Sequence, residues 1–423
     1  MAAAVALESA GFEVDLFEAH NRLGGRAGSL PLPERDHWID RGQHILLGCC
    51  RNLLDFYRRL GVEHRIRFHD EIVFVEPGGR RSVLRAVNQS ALGRATAFLR
   101  LRFLSLKDKL GIVRALAAVR RDYRQPDLLD AMSMADWLRQ RRQTARANQR
   151  FWRPLIVSAL NEEPERVSAL HGVQVLWLAL LASPDGVRLG VPAVPLVELY
   201  AENHWQRFPK LALHTGTRVE RVQIEQERVI GIEADGVIHR ADAYVLAVPV
   251  KAAQSLVPQL GLESLESSPI TGIYLAFDRP VLDLPQAALL DRTIQWAFSK
   301  GRGEAVQIVV SASRSLLPVS REEIVRQTVR ELAEFFPAAA KARLEEAHVI
   351  KEANATFTPR PGLASRRPPA TTRFPNLFLA GDWTRTGWPA TMEGAVRSGY
   401  LAAEAATAAL GNPRTFLIPD PSP

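Results

Sequence analysis

Asn376-Leu377-Phe378-Leu379-Ala380-Gly381-Asp382-Trp383, running on to Thr391-Met392-Glu393-Gly394-Ala395-Val396, is the stretch that decides the fold. It reads as a buried strand, a turn carrying an acid, and a glycine-containing entry into a helix. The strand would deliver Asp382 to the hydroxyls of a ribityl chain. Gly381 lets the backbone turn there. Amides at the helix start, at Met392 and Glu393, would face an electron-rich ring edge or a phosphate, and Glu393 has a second reading as a cap of that helix. Near the other end stands Val14-Asp15-Leu16-Phe17-Glu18-Ala19, then Asn21-Arg22-Leu23-Gly24-Gly25-Arg26-Ala27. This reads as the second strand of a dinucleotide-binding unit. Its terminal acid Glu18 is placed to hold an adenosine ribose, with Ala19 and Arg22 alongside. The turn Gly24-Gly25-Arg26-Ala27 offers amides and a guanidinium to a pyrophosphate. Together the two pieces imply FAD.

A dinucleotide-binding unit opens with a hydrophobic strand and a G-x-G-x-x-G loop. Here Met1 leads directly into Ala2-Ala3-Ala4-Val5-Ala6-Leu7-Glu8-Ser9-Ala10-Gly11, which reads as the following helix with Gly11 as its stop. The expectation is therefore a start about a dozen residues upstream, the length of a short strand and its loop. A helical start with no cofactor is the other reading. It leaves Glu18, Gly24-Gly25 and Asp382 without a shared purpose.

The 423 residues suffice for two domains, and 47% hydrophobic with 24% charged residues is ordinary for a globular chain. A net charge of +8 favours an anionic partner. With no nucleic-acid-binding motif present, a membrane surface is preferred to nucleic acid. Cys49 and Cys50, the sole cysteines, are adjacent and make neither a disulfide framework nor a metal site. They suit a reducing cytoplasm. No apolar run approaches the roughly 18 residues of a spanning helix, and Val175–Ala182 reads as a buried helix. The localisation expected is cytoplasmic, or peripheral on the inner face of the cytoplasmic membrane.

The fold class expected is α/β: a split, Rossmann-like FAD-binding domain, its first strand and glycine loop missing, with an inserted α+β substrate domain. Residues 1–50, 206–255 and 366–423 are assigned to the FAD domain, and 51–205 with 256–365 to the substrate domain. A β-meander from His214 to Pro249 returns the chain to the cofactor sheet and brings the Val219 backbone to the adenine. Residues 51–200 read as mostly helical. Strands resume at Ile273–Phe277 and Val306–Val310, and a helix at Arg321–Phe336 stops before Pro337.

The segment 92–124 carries Arg94, Arg100, Arg102, Lys107, Lys109, Arg114, Arg120, Arg121 and Arg124 against Asp108 and Asp122, interleaved with leucines and phenylalanines. It reads either as a basic amphipathic helix lying in a membrane interface or as a solvated basic face over an ordinary core.

Several longer motifs narrow the identity. They are Asp40-Arg41-Gly42-Gln43-His44, Trp152-Arg153-Pro154-Leu155 with Ala159-Leu160-Asn161, Ala355-Thr356-Phe357 with Pro361-Gly362, and Leu379 through Ala395. With Glu18-Ala19 and Gly24–Ala27 they resemble the flavin amine oxidases and phytoene-type desaturases, and within them the squalene-associated FAD-dependent desaturases that act as hydroxysqualene dehydroxylases in hopanoid biosynthesis. The resemblance spans the chain, departing at the absent glycine loop and at Trp388, where a smaller aliphatic residue is expected. It implies reduction of hydroxysqualene to squalene by hydride from reduced FAD with loss of water, so the partner is a long apolar isoprenoid. It also places Gly42 and Gln43 at the flavin and makes His44 the first candidate for the acid that protonates the departing hydroxyl, ahead of Asp40 and Glu162. The oligomeric state is open. Two other readings remain: a carotenoid-type desaturase that removes hydride, and a flavin-free lipid-binding or membrane-scaffold protein. An amine oxidase is disfavoured, because no aromatic cage or lysine-held water can be placed.

Overall fold

The structure, a computed structural model, describes residues 1–32, 37–85 and 96–423. The expected opening elements are present. Helix Ala2–Ser9 ends at Gly11, whose φ of 94° turns the chain into strand Val14–Glu18. That strand pairs in parallel with Leu211–Thr215. A second parallel pair joins Tyr244–Leu246 to Leu377–Leu379. Between them lies the antiparallel meander of Val219–Glu225, Arg228–Ala234 and Val237–His239.

The opening helix packs against the closing helix, Met392–Ala409. They approach closely because Gly399 lacks a side chain: a Cβ there would sit 2.8 Å from the Ala3 amide nitrogen and 2.9 Å from the Ala2 Cβ. The two ends of the sequence thus form one helix pair.

The largest sheet has seven strands in the order Leu344–Phe357, Ser267–Phe277, Ala305–Ser311, Trp296–Lys300, Gln286–Leu289, Glu71–Val75 and Arg81–Arg85. Helix Arg321–Phe335 buries Ile324, Leu332 and Phe335 in the core with Val306, Ile308 and Val310 from that sheet. Ser320 caps it through the Glu323 amide at 3.1 Å.

Residues 51–200 are mostly helical where described, as expected, but four strands interrupt them. Ile66–His69, Glu71–Val75, Arg81–Arg85 and Leu189–Pro192 are strands. The run Ile72-Val73-Phe74-Val75 is rich in residues that suit a pleated surface, and the turn Pro77-Gly78-Gly79 folds it into a hairpin. That hairpin extends the large sheet through a parallel pairing with Gln286–Leu289. Tertiary pairing overrides the helical context around it.

Helices in this region include Arg51–Leu60, Leu106–Tyr123, Met134–Gln140, Arg153–Leu160 and Ala169–Val175. The last continues as a π-helical turn, Leu176–Leu181, and Leu176, Trp177, Leu178 and Ala179 are buried, as expected of a core helix. Among the described residues no helix is long and apolar enough to cross a membrane.

The tail after Leu410 has no regular structure but is held throughout. Asn52 bonds Ile418 in both directions, at 2.8 and 3.0 Å. Trp177 Nε1 donates to the Pro421 carbonyl at 3.1 Å. Asp420 accepts from Trp388 Nε1 at 2.7 Å and from Arg397 at 3.1 Å.

Candidate functional site

The two parallel strand pairs and the two terminal helices border a cleft of about 1860 Å³. Glu18, Ala19, Arg22, Gly24, Gly25, Arg26, Ala27, Gly42, Gln43, His44, Val219, Gly381, Asp382 and Met392 all line it. Sequence positions more than 350 apart therefore meet on one surface. Arg26 closes the ring: Nη2 lies 2.6 Å from Asp382 Oδ1, and Nη1 donates to the Ala355 carbonyl at 2.7 Å. The Asp382 carboxylate holds the Arg26 guanidinium above its ordinary range, outweighing burial.

Local geometry explains the residue types. Gly24 has φ +110°, and a Cβ there would lie 2.7 Å from the Ala27 carbonyl and 2.8 Å from the Tyr200 ring. Only glycine fits both constraints. Glu18 sits at its strand end, its Oε1 accepting the His20 amide at 2.9 Å. The first turn of the closing helix is capped by Thr391, whose Oγ1 accepts the Gly394 amide at 3.0 Å.

The Glu393 side chain departs from the reading of it as a cap of its own helix. It does not line the cleft and does not cap its own helix. Its carboxylate accepts the Leu53 amide at 2.7 Å, Asn52 Nδ2 at 2.8 Å and the Asn52 amide at 3.3 Å. It thus caps the neighbouring helix Arg51–Leu60, whose own N-cap, Cys50, makes no side-chain cap bond. Burial raises its pKa, against these donors.

Of the three candidate acids only His44 faces the cleft. Its Nδ1 lies 2.9 Å from the Gly42 carbonyl, so Nδ1–H donates there and the neutral ring presents a lone pair at Nε2. Burial lowers its pKa, so the ring carries its second proton only in acid. Asp40 is fully engaged in structure. It accepts Ser29 Oγ at 2.7 Å and the Leu196 amide at 2.9 Å, with Lys300 Nζ at 3.7 Å. Glu162 is likewise committed: burial would raise its pKa, but Arg314, at 2.8 and 2.6 Å, and Thr358, at 2.9 Å, hold it lowered.

A second cavity adjoins the first. Ile45, Ser158, Ala159, Trp296, Thr391 and Met392 line both, forming the junction. Beyond it the walls include Leu46, Leu53, Ile72, Phe74, Phe151, Leu155, Val175, Leu178, Leu180 and Trp388, with Gln174 and Glu393 as polar members, so the cavity is predominantly apolar. Ser158 is tethered rather than free, donating to the Pro154 carbonyl at 2.5 Å and accepting Trp296 Nε1 at 2.7 Å. No side chain of the junction carries a charge.

Sequence reading missed this junction and also Arg367. The Arg367 guanidinium is buried, lies 4.9 Å from the Phe357 ring centroid, and donates to the carbonyls of Trp388 at 2.5 Å and Asp382 at 2.7 Å. It ties the Asp382 turn to the cavity wall. Burial lowers its pKa to about 10. Nothing around Arg366-Arg367-Pro368 in sequence separates it from an exposed basic loop.

One buried side chain of the cleft bears on whether FAD fits. Gln43 is buried, lines the cleft, and leaves Oε1 without a hydrogen-bond partner among the described residues. An orphan buried acceptor calls for a donor from a bound group. Glu18, Val219, Arg26, Asp382, Gln43, His44 and Met392 share this one surface.

Residues 1–407 match the family described as flavin containing amine oxidoreductase. The chain is similar to a zeta-carotene desaturase from Synechocystis sp., 26% identical with 96% of this chain and 94% of that one covered. It is also similar to a hydroxysqualene dehydroxylase from Sinorhizobium fredii, 29% identical over 96% and 95%. In fold it is similar to an oxidoreductase from Methanosarcina mazei, with a TM-score of 0.67, 16% identity, and 94% and 96% of the two chains covered.

Proposed function

Because the chain belongs to the flavin containing amine oxidoreductase family and is an FAD-dependent oxidoreductase, we propose that it reduces hydroxysqualene to squalene with loss of water. The observation that carries this is the apolar cavity opening onto the cofactor cleft at Ser158, Trp296, Thr391 and Met392. Its walls suit a hydrocarbon chain, and the Glu393 carboxylate among them is already taken up by Leu53 and Asn52. Reduced FAD, when bound, supplies hydride. The remaining work falls to the chain's own residues. The apolar walls exclude water from the reacting carbon. The junction orients one end of the substrate. His44, at the cleft near the junction, protonates the departing hydroxyl once its Nε2 carries a proton. The carbon–oxygen bond breaks, the carbon gains hydride, and hydroxide leaves as water. The cofactor part corresponds to a split dinucleotide-binding domain of residues 1–50, 206–255 and 366–423, and the cavity part to an inserted domain of 51–205 and 256–365. A substrate of this kind resides in a bilayer, so the protein works at a membrane surface.

A desaturase acting on a polyene precursor is the second reading, favoured by the zeta-carotene desaturase similarity. A flavin-free scaffold does not accord with the family. The test is anaerobic incubation of reduced holoprotein with hydroxysqualene, followed by mass spectrometry. Squalene formation is expected. No squalene, together with lengthened conjugation when oxidised holoprotein meets a carotene precursor, would replace the proposal with the desaturase.

A further inference from the structure

Helix Leu106–Tyr123 buries Ile112, Ala115 and Val119 as a surface helix should, yet carries a second apolar side. Its exposed side carries Leu106, Leu110 and Val113, which are 68, 59 and 54% exposed, and Leu99, on the preceding turn, is 55% exposed. Lys109 holds that turn against the helix, Nζ donating to the Leu99 carbonyl at 2.6 Å. Positions 106, 110 and 113 repeat at helical spacing and make one stripe. Lys107, Arg114, Arg120 and Arg121 flank the stripe, and Arg100 and Arg102 stand beside Leu99, all exposed. Both acids of the helix point inward. Asp108 is 2% exposed and caps the helix with Ser105, while Asp122 is bound by Arg141 and Trp137. The outward side is therefore apolar at its centre and positive at its margins. Arg94 and Leu92, expected to share it, lie outside the described residues.

This face adjoins the apolar cavity. Phe98, next to Leu99, packs edge-on against Phe151 with ring centroids 5.9 Å apart, and Phe151 is a cavity wall. Behind the same helix, Tyr123 stacks on Trp177 at 6.3 Å, one turn before Leu180 of that wall.

We propose that Leu99, Leu106, Leu110 and Val113, with Lys107, Arg114 and Arg120, form a docking face that inserts into the interface of an anionic phospholipid bilayer and sets the apolar cavity against it. Apolar side chains enter the headgroup boundary while the basic margin meets lipid phosphates. A protein partner would leave the uniformly positive margin needing a matching acidic surface, whereas an anionic bilayer supplies one everywhere. Only the coupling to substrate delivery rests on the proposed reaction.

The test is sedimentation of holoprotein with vesicles of phosphatidylcholine and phosphatidylglycerol. Binding is expected, falling at least tenfold on pure phosphatidylcholine or in 0.5 M salt. A triple variant Leu106→Gln, Leu110→Gln, Val113→Gln, which alters exposed side chains only, should lose at least tenfold in partitioning while keeping its flavin spectrum. Lys107→Gln with Arg114→Gln should lose the preference for anionic lipid. Wild-type protein that stays in the supernatant, or a triple variant that partitions unchanged, overturns the proposal. So does concentration-dependent self-association that the triple variant abolishes in the absence of vesicle binding. Vesicle binding without hydroxysqualene turnover refutes the reaction and leaves the face standing; turnover in detergent without vesicle binding does the reverse.

Discussion

Gly399→Ala tests the closure of the cofactor cleft by the two ends of the chain. Two effects oppose each other. Alanine is favoured over glycine in a helix interior by about 1 kcal/mol. Against this, the new Cβ would stand 2.8 Å from the Ala3 nitrogen and 2.9 Å from the Ala2 Cβ. An ordinary contact is nearer 3.5–4 Å, and the obstructing atoms are largely backbone, which cannot rotate away. Overpacking of this kind costs about 1–3 kcal/mol. With backbone in the way the contact outweighs the propensity gain, leaving a net loss of up to about 2 kcal/mol and the opening helix displaced from the cleft it lines through Ala3, Ala4 and Leu7. Gly111→Ala is the control. It also sits in a helix, but its Cβ would meet the Gln143 amide at 3.6 Å, an ordinary contact, so only the propensity gain remains. Unfolding entropy of about 2.1 cal/mol/K per residue over 423 residues makes 1 kcal/mol worth about 1 °C. Calorimetry should therefore show the melting temperature falling for Gly399→Ala and rising for Gly111→Ala, with flavin released at lower temperature in the first alone. A Gly399→Ala protein that melts above wild type and holds flavin normally would refute the close crossing.

Asp382→Asn removes the anion that holds Arg26, and flavin affinity should fall about tenfold to a hundredfold, read as the dissociation constant from flavin fluorescence; unchanged affinity would remove Asp382 from the cofactor site. His44→Gln should lower kcat with little change in KM, and the wild-type rate should climb as pH falls through the lowered His44 pKa while the variant stays flat. A wild-type profile flat below pH 7 would eliminate His44 as the acid. Buried His171 titrates at about 4 instead of 6.5. The unfolded chain binds its proton first on acidification, so this contribution is present above pH 6.5 and about 3 kcal/mol of it is lost on the way to pH 4. Denaturant titrations of wild type and His171→Gln should converge as pH falls; parallel curves would contradict the burial.

The cofactor side was legible because backbone-determined motifs carry their chemistry in local sequence. Gly24 shows itself by the φ it must adopt, Asp382 by the apolar strand before it, and Glu18 by its strand-end position. The apolar cavity was not legible. Its walls come from Ile72, Phe151, Leu178 and Trp388, each an ordinary core residue where it stands, and only the tertiary fold makes them neighbours. The hairpin at 71–85 was missed for a related reason: its pairing partner, Gln286–Leu289, lies some two hundred residues away. The Glu393 side chain was not legible as a cap of the helix at Asn52, because that helix lies some 340 residues away in sequence. The stripe of Leu106, Leu110 and Val113 left two readings open in sequence, and only the inward turn of Asp108 and Asp122 reveals what the outer face lacks.

The ion pair between Arg26 and Asp382 and the helix crossing at Gly399 have a consequence for biogenesis. A ribosome delivers Arg26 and Asp382 356 residues apart, so the nascent chain carries half of that pair while everything between them is made. The opening helix and strand must wait, with Leu7 and Leu16 lacking their final cover, until the closing helix clears the exit tunnel. The cleft that these elements border closes only when the closing helix reaches the opening one.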